Sequence, residues 1–352
     1  MTKFWYPERN ELDAIPALLK NFIHYHKFPI SKFTIEKDVK ESPDFPMEIS
    51  LATIMKLLQK WGIDHKAFKC PSENVTEVAP YTILFINDLT GKKGGDFIMF
   101  YGVRGNEIEY LDTRKGWVLE DLEEFKKKFA NVALTADSIK EGEKDFELKE
   151  KEYEAKRLSN PNLNNVRVVD NFLTDSECEY IINLSTPLFK RSMFLYGDQK
   201  VLDEKRTSYS AELHIFPDDV VLNRIRKKAS ELINMPENHF EFFQCVSYDK
   251  QQEIDHHYDT FDPNSEGGKK IIAEGGQRKY TLLAYLNDDF EGGATYFPDL
   301  DYMVHPKKGS VVIFNNLDDN GNVLKCSWHG GLPVTTGRKY ASNIWVHDKP
   351  CR

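Results

Sequence analysis

What this sequence of 352 residues lacks excludes several classes of function. It has no run of about 18 apolar residues, so no membrane-spanning helix is predicted. The opening Met1-Thr2-Lys3-Phe4-Trp5-Tyr6-Pro7 has no apolar signal-peptide core. Cys70, Cys178, Cys245, Cys326 and Cys351 are odd in number, scattered, and never spaced Cys-x-x-Cys. That usage supports neither a disulfide framework nor a zinc site, and it suits a reducing cytoplasm. Positive charge is in deficit, with 47 Lys and Arg against 56 Asp and Glu, a net charge of -9. Such a balance argues against a nucleic-acid-binding surface. Internal repeats and low-complexity tracts are missing too. A cytoplasmic protein with no membrane or nucleic-acid partner is the expectation.

The length exceeds that of a comfortable single core, so two domains are expected. Residues 1–140 read as an α+β unit. The spacing predicts a helix over Glu11 to Tyr25 and another from Glu48 to Trp61, closed by Gly62. Strands are predicted at Tyr81 to Ile86, Asp96 to Val103 and Glu107 to Asp112, the last two joined by the hairpin connection Arg104-Gly105-Asn106. A third helix is predicted over Leu119 to Phe129. Residues 141–160, dense in Glu and Lys, read as an exposed charged linker, either irregular or made helical by its opposite-charge pairs. From 161 to 352 the pattern changes to short strands with two helices ahead of them. Thr174-Asp175-Ser176-Glu177 is a capping box for the first helix, and Asp218 to Ile233 is the second. Strands follow at His239 to Tyr248, Lys279 to Leu286, Val311 to Phe314 and Tyr340 to His347. This is the pattern of a β-barrel or jelly roll flanked by helices.

Three residues in that second half carry chemistry. His257 and Asp259 form a His-x-Asp pair, and His329 follows much later. Two imidazoles and one carboxylate encode the facial triad of a non-haem Fe(II) site, which leaves coordination positions open. His-x-Asp suits a strand end, where alternate residues point the same way. Ten residues beyond His329 stands Lys339, a cation suited to the far carboxylate of a bound dicarboxylic acid.

The ordered set Tyr248, His257-Tyr258-Asp259, Arg278-Lys279-Tyr280-Thr281-Leu282-Leu283-Ala284-Tyr285, Phe290-Glu291-Gly292-Gly293-Ala294-Thr295-Tyr296-Phe297-Pro298 and His329 to His347 resembles the prolyl 4-hydroxylase family of 2-oxoglutarate and Fe(II) dependent dioxygenases. The resemblance covers about residues 165 to 350. It implies a double-stranded β-helix (jelly roll) with Fe(II) on His257, Asp259 and His329, and with 2-oxoglutarate and O2 as further reactants. Ascorbate belongs to the same implied set. Lys339 would hold the distal carboxylate, supported by Tyr248, Tyr285 and Thr281 as hydrogen-bond donors. The family's peptide-binding positions fall on Arg206, Ser208, Glu241, Arg278, Trp345 and His347. The implied substrate is an extended, proline-bearing peptide. Two departures stand out. Ile254 occupies a place where the family usually has Tyr. The stretch Thr260 to Gln277 is long and rich in Gly and Lys, and reads as a loop that either closes over substrate or is a passive insertion.

Helix Glu48 to Trp61, the glycines before strand Asp96 to Val103, and Leu111-Asp112 resemble the C39 cysteine peptidase family, which has a papain-like fold. The nucleophilic Cys of that family would fall on Ile49 and its His on Asp96, while Asp112 fits the third position. A Cys-His site without either group has no nucleophile and no base. The N-terminal domain is therefore expected to be a pseudopeptidase that either binds a peptide or only stabilises the chain; Cys70 is not at the helix start and is no substitute. The whole chain reads as a peptidyl prolyl hydroxylase. The alternatives are hydroxylation of another residue or a free amino acid, and a non-catalytic peptide-binding protein.

Overall fold

The computed structural model describes residues 5–46, 49–87, 95–196, 199–201 and 206–351. Glu48, the expected start of the second helix, and the glycines Gly91 and Gly94 lie outside them. The chain divides into two compact units, Thr2–Ser159 and Asn160–Arg352.

The first unit is α+β. Helix α1 (Ala14–His26) buries Leu18, Leu19, Phe22 and Ile23, the apolar face expected from their spacing. Helix α2 (Lys32–Lys40) was not expected, because its apolar stripe is only Ile35 and Val39, four apart and both buried. Ser50 caps α3 (Leu51–Lys60), its hydroxyl accepting from Thr53 N–H. A six-stranded antiparallel sheet follows: β1 (Ile63–Lys69), β2 (Ile83–Ile86), β3 (Asp96–Arg104), β4 (Glu107–Asp112), β5 (Gly116–Asp121) and β6 (Phe129–Ile139). Its order is β1-β6-β2-β3-β4-β5.

One expectation for this unit needs correction. The helix over Leu119 to Phe129 is in fact the end of β5 and then a shorter α4 (Leu122–Lys128). Asp121 sets the boundary, its carboxylate accepting from the Glu123 and Glu124 N–H groups. The charged stretch 141–160 is largely the helix α5 (Phe146–Leu158), exposed as expected. Lys32 pairs with Glu150 at 3.3 Å and with Glu154, and the Tyr153 hydroxyl donates to Glu36 at 2.7 Å. These bonds tie α5 to α2.

The second unit begins with β7 (Val166–Val169) and α6 (Asp175–Ser185), whose capping box forms between Thr174 and Glu177. Then come β8 (Lys190–Arg191), the hairpin β9 (Phe194–Tyr196) and β10 (Gln199–Val201), β11 (Tyr209–Glu212) and α7 (Val220–Ile233). The rest is β12 (Gln244–Tyr248), β13 (Ile254–His257), α8 (Glu266–Gly275), β14 (Arg278–Tyr285), β15 (Glu291–Gly292), β16 (Thr295–Phe297), β17 (Tyr302–Val304), β18 (Val311–Asn315), β19 (His329–Gly331), β20 (Val334–Thr336) and β21 (Lys339–His347).

A seven-stranded sheet of order β7-β18-β14-β21-β12-β11-β8 and a four-stranded sheet of order β13-β19-β16-β17 make the jelly roll. Alternation along the strands of the larger sheet separates its two faces. Cys245, Leu282, Ala284, Ile313, Ile344 and Val346 pack with residues of α6 and α7, including Cys178, Ile181, Leu222 and Ile225. Val246, Tyr248, Tyr285, Phe314 and Ala341 face inward and share a core with Phe297 and Val304 of the smaller sheet. Odd-numbered residues of β21 therefore point into the barrel, Lys339, Trp345 and His347 among them. On β14, Thr281 and Tyr285 do the same. A register shift between Arg278 and Tyr280 in the β14–β21 pairing brings Arg278 opposite His347. Bulges of this kind re-aim a side chain.

The stretch Thr260 to Gln277, read as an irregular loop, contains α8. Ser265 caps it, and Gly276 at φ +79° ends it, where an added Cβ would lie 2.1 Å from the Asp348 carboxylate. Gln277 pins its base, with its side chain exchanging two hydrogen bonds with the Phe261 backbone and its N–H donating to Asp348.

Candidate metal and dicarboxylate site

His257 on β13 and His329 on β19 are a directly opposed antiparallel pair, their ring centroids 4.6 Å apart. Asp259 follows two residues beyond His257. Ligand atoms of the three side chains all lie within 4.8 Å of one another. Each histidine Nδ1 sits 2.8 Å from the backbone carbonyl two residues back, Asp255 for His257 and Ser327 for His329. Carbonyls only accept, so both Nδ1 atoms carry hydrogen and both Nε2 atoms are left to the site. Burial, reinforced by the nearby His257, lowers His329 to about 4, which keeps its imidazole neutral at neutral pH. Burial alone would raise the Asp259 carboxyl, but His257 and His329 outweigh it and hold it well below the usual carboxylate range. Two imidazoles that present Nε2 and an ionised carboxylate suit Fe(II). The neighbouring His256 is not a fourth ligand; its ring packs against Tyr296 and Trp328.

Lys339 is almost fully buried, at 3% exposure. Its Nζ donates to Gly293 O at 2.7 Å and lies 5.2 Å and 5.5 Å from the ring centroids of Tyr248 and Tyr285. Among the described residues it has no carboxylate partner. Burial lowers it to about 7. A buried cation without a counter-ion is costly and calls for an anion. Of the three donors expected beside it, Tyr248 and Tyr285 are present, the Tyr285 hydroxyl sharing a 2.7 Å hydrogen bond with Thr295. Thr281 is a correction. Its hydroxyl donates to Asp259 Oδ2 at 2.7 Å and accepts from Asn316 Nδ2 at 2.9 Å, so it serves the triad and not the dicarboxylate.

The six expected peptide-binding residues form two clusters. In one, Arg278 grips Glu241 through both carboxylate oxygens, at 2.6 Å and 2.9 Å, and His347 Nε2 reaches Glu241 Oε1 at 2.7 Å. Burial alone would raise Glu241, but Arg278 and His347 outweigh it and hold its carboxyl at about 2. His347 Nδ1 lies 2.7 Å from Gly275 O at the end of α8. The Arg278 guanidinium stacks 3.7 Å from the Trp345 ring centroid and 4.6 Å from that of Phe261. Trp345 Nε1 is buried without an acceptor. In the other cluster, Arg206 donates to Gln244 Oε1 at 3.2 Å, and Ser208 bonds to Ser192 at 2.9 Å. Ile254, at the family's Tyr position, pairs with Gly331 and packs on the inner core.

Sequence reasoning missed Gln244, which accepts from Arg206 and Asn343 and donates to Glu212 at 2.6 Å. It also missed Asn316, behind Thr281. Gln244 was legible, being four residues before Tyr248 and on the same strand face. Asn316 follows β18 in a turn, and nothing local marks it.

In the first unit the peptidase-like positions hold a different network. Asp96 pairs with Arg114 at 2.9 Å, Asp112 Oδ1 accepts from the Arg114 and Lys115 N–H groups, and Arg114 Nε lies 3.9 Å from Glu8. Ile49 is a buried apolar residue. Cys70 is buried as well, which raises its thiol and makes it inert.

Residues 243–347 match the family model for the 2OG-Fe(II) oxygenase superfamily, and residues 5–141 match that of the Peptidase C39 family. A putative prolyl 4-hydroxylase of Acanthamoeba polyphaga mimivirus is 31% identical over 185 residues, which is 52% of this chain and 74% of that protein. Probable prolyl 4-hydroxylase 6 of Arabidopsis thaliana is 32% identical over 50% of this chain and 66% of its own length. Among solved structures, a viral collagen prolyl hydroxylase from Paramecium Bursaria Chlorella virus-1, as its 2OG complex, is 29% identical. That match covers 52% of this chain and 95% of the other, with a TM-score of 0.41.

Lys339→Met should abolish binding of 2-oxoglutarate in calorimetric titration. It should also stabilise the unliganded protein by ~1–3 kcal/mol in denaturant unfolding, because it removes a buried, unpaired charge. A second outcome concerns pH. The empty site holds a protonated Lys339 only below about 7. Above that, proton uptake must accompany binding of the dianion, so kcat/KM for 2-oxoglutarate should fall roughly tenfold per pH unit while kcat at saturation holds. A flat kcat/KM between pH 7 and 9 would contradict this.

Proposed function

Because the chain belongs to the prolyl 4-hydroxylase family of 2-oxoglutarate- and Fe(II)-dependent oxygenases, we propose that it hydroxylates a prolyl residue in an extended peptide. The observation that carries this reading is the buried Lys339, a cation with no carboxylate partner among the described residues, on the same inward strand face as Trp345 and His347. His257, Asp259 and His329 would hold the metal, and Lys339 the far carboxylate of 2-oxoglutarate. When bound, these groups with O2 supply the oxidation of the substrate C–H bond, with succinate and CO2 released.

The residues of this chain do the positioning. Trp345 is a flat apolar ring of a kind suited to packing against a proline ring. Arg278 is stacked on that ring and locked by Glu241, so the platform is rigid before substrate arrives. Arg206 and Gln244, hydrogen-bonded to each other at 3.2 Å, offer further peptide-bonding groups. Ascorbate is included in the proposal as an accessory requirement. The five scattered cysteines form no disulfide among the described residues, which supports a reducing, cytoplasmic setting.

For the first unit the proposal is recruitment. A peptidase-like fold without nucleophile or base retains only binding, and a leader or tail held there would raise the local concentration of the target.

Purified full-length protein should release succinate only when Fe(II), 2-oxoglutarate and a proline-containing peptide are all present, and amino-acid analysis should then find hydroxyproline. Hydroxylation of another residue would redirect the assignment. No turnover on any peptide would leave a binding protein. For recruitment, removing residues 1–140 should raise KM on long peptides several-fold and leave it unchanged on short ones. Equal ratios for both peptides would sink the idea.

A further inference from the structure

Asn316 has no exposed surface, and it sits in the turn just after β18 with its backbone fixed at both ends. Its N–H donates to Lys279 O at 2.8 Å, and its carbonyl accepts from Leu324 N–H at 2.9 Å. Its side-chain Nδ2 donates to Thr281 Oγ1 at 2.9 Å, and the Thr281 hydroxyl in turn donates to Asp259 Oδ2 at 2.7 Å. The direction of this relay is forced. An ionised carboxylate can only accept, so the single hydroxyl hydrogen goes to Asp259 and Thr281 must accept from the amide. Meanwhile Asn316 Oδ1 is buried and has no partner. A buried amide that satisfies only its N–H side is a poor choice for packing, since leucine would fill the same space without an orphaned acceptor. The residue is accounted for by what its N–H does.

We propose that Asn316 is a positioning residue of the metal centre. By orienting the Thr281 hydroxyl it fixes the rotation of the Asp259 carboxylate, so that Oδ2 is engaged and Oδ1, 3.5 Å from His257 Nε2, is presented as the metal-binding oxygen. A carboxylate held in this way offers one oxygen and leaves the remaining coordination positions open. Asn316 touches neither reactant; it acts through Thr281. The inference rests on the reading of His257, Asp259 and His329 as metal ligands.

The test is anaerobic titration of the full-length, metal-free protein with Co(II), followed by visible absorption and calorimetry, beside thermal melting without metal. Asn316→Leu and Thr281→Val should each weaken Co(II) binding by roughly 10–100-fold, the range seen when groups orienting a metal ligand are removed. Thr281→Ser, which keeps the hydroxyl, should retain near wild-type affinity. The Asn316→Leu/Thr281→Val pair should bind no more weakly than Thr281→Val alone, since both break one relay. Metal-free Asn316→Leu should melt at or above the wild-type midpoint; if it does not fold, Asn316→Ala takes its place. Wild-type affinity in the Asn316 variants, or additive losses in the pair, would overturn the relay. A wild-type protein that binds no Co(II) would overturn the metal site itself.

Discussion

The second unit depends on one constraint, the strict alternation of side chains along β21. That strand is central in the seven-stranded sheet, hydrogen-bonded to β14 on one side and β12 on the other. Its even-numbered residues Ile344 and Val346 are locked into the helix-side core. With those anchored, Lys339, Trp345 and His347 have no choice but to face the barrel interior. A one-residue slip would bury two apolar side chains in a polar cavity and send the cation, the indole and the imidazole into the helices. Every other contributor is placed against this strand. Tyr248 pairs with Lys339 across β12, and Thr281 pairs with Trp345 across β14. Arg278 reaches the same face only because the ladder shifts by one residue next to it.

The buried charges in this interior are of two kinds, and the difference separates scaffold from site. Glu241, Arg278 and His347 satisfy each other through short, charge-assisted bonds, so the cluster is complete without any ligand. Its job is to hold the Trp345 platform and, through the Gly275 carbonyl, the end of α8. Lys339 is the opposite case. A backbone carbonyl and two aromatic rings ease its burial but leave a net charge, and only an incoming anion completes the balance. Asp259 lies between these extremes, ionised and partly satisfied by Thr281, with the pair of imidazole Nε2 atoms facing it.

Much of this was legible in the sequence because the chemistry needs particular residue types at short spacings. His257 and Asp259 are two apart, Trp345 and His347 are two apart, and such pairs declare a shared face before any fold is known. The inner and outer faces of β14 and β21 could be read the same way. What escaped was whatever depends on tertiary partners. The apolar stripe of α2 is too thin to signal a helix and gains its stability from α1 and α5. The Leu119 to Phe129 stretch carries a helical pattern, yet the pairing of β5 with β4 claims its first residues. The Gly- and Lys-rich segment before Gln277 looked irregular by composition, but a serine cap and a glycine stop make α8. Thr281 came from the family resemblance, which could not say which neighbour its one hydrogen would choose.

The first unit holds an ion-pair network at positions that its resemblance to a cysteine peptidase would give to catalysis. At the positions where a cysteine peptidase would carry its thiol and its base stand Ile49 and Asp96. Asp96 is no idle replacement, because it is paired with Arg114, which also approaches Asp112 and Glu8. Burial pushes Glu8 up to about 7, the Thr113 hydroxyl and the Arg114 charge countering only part of the effect. An arginine at the centre of such a group cannot act as a base, and its firm charge would oppose the proton transfers a hydrolase needs. What it does instead is cross-link the ends of β3 and β4 to the N-terminal segment, work that a reactive cysteine-histidine pair could not do. The Asp96–Arg114 pair is thus a structural tie at this end of the sheet.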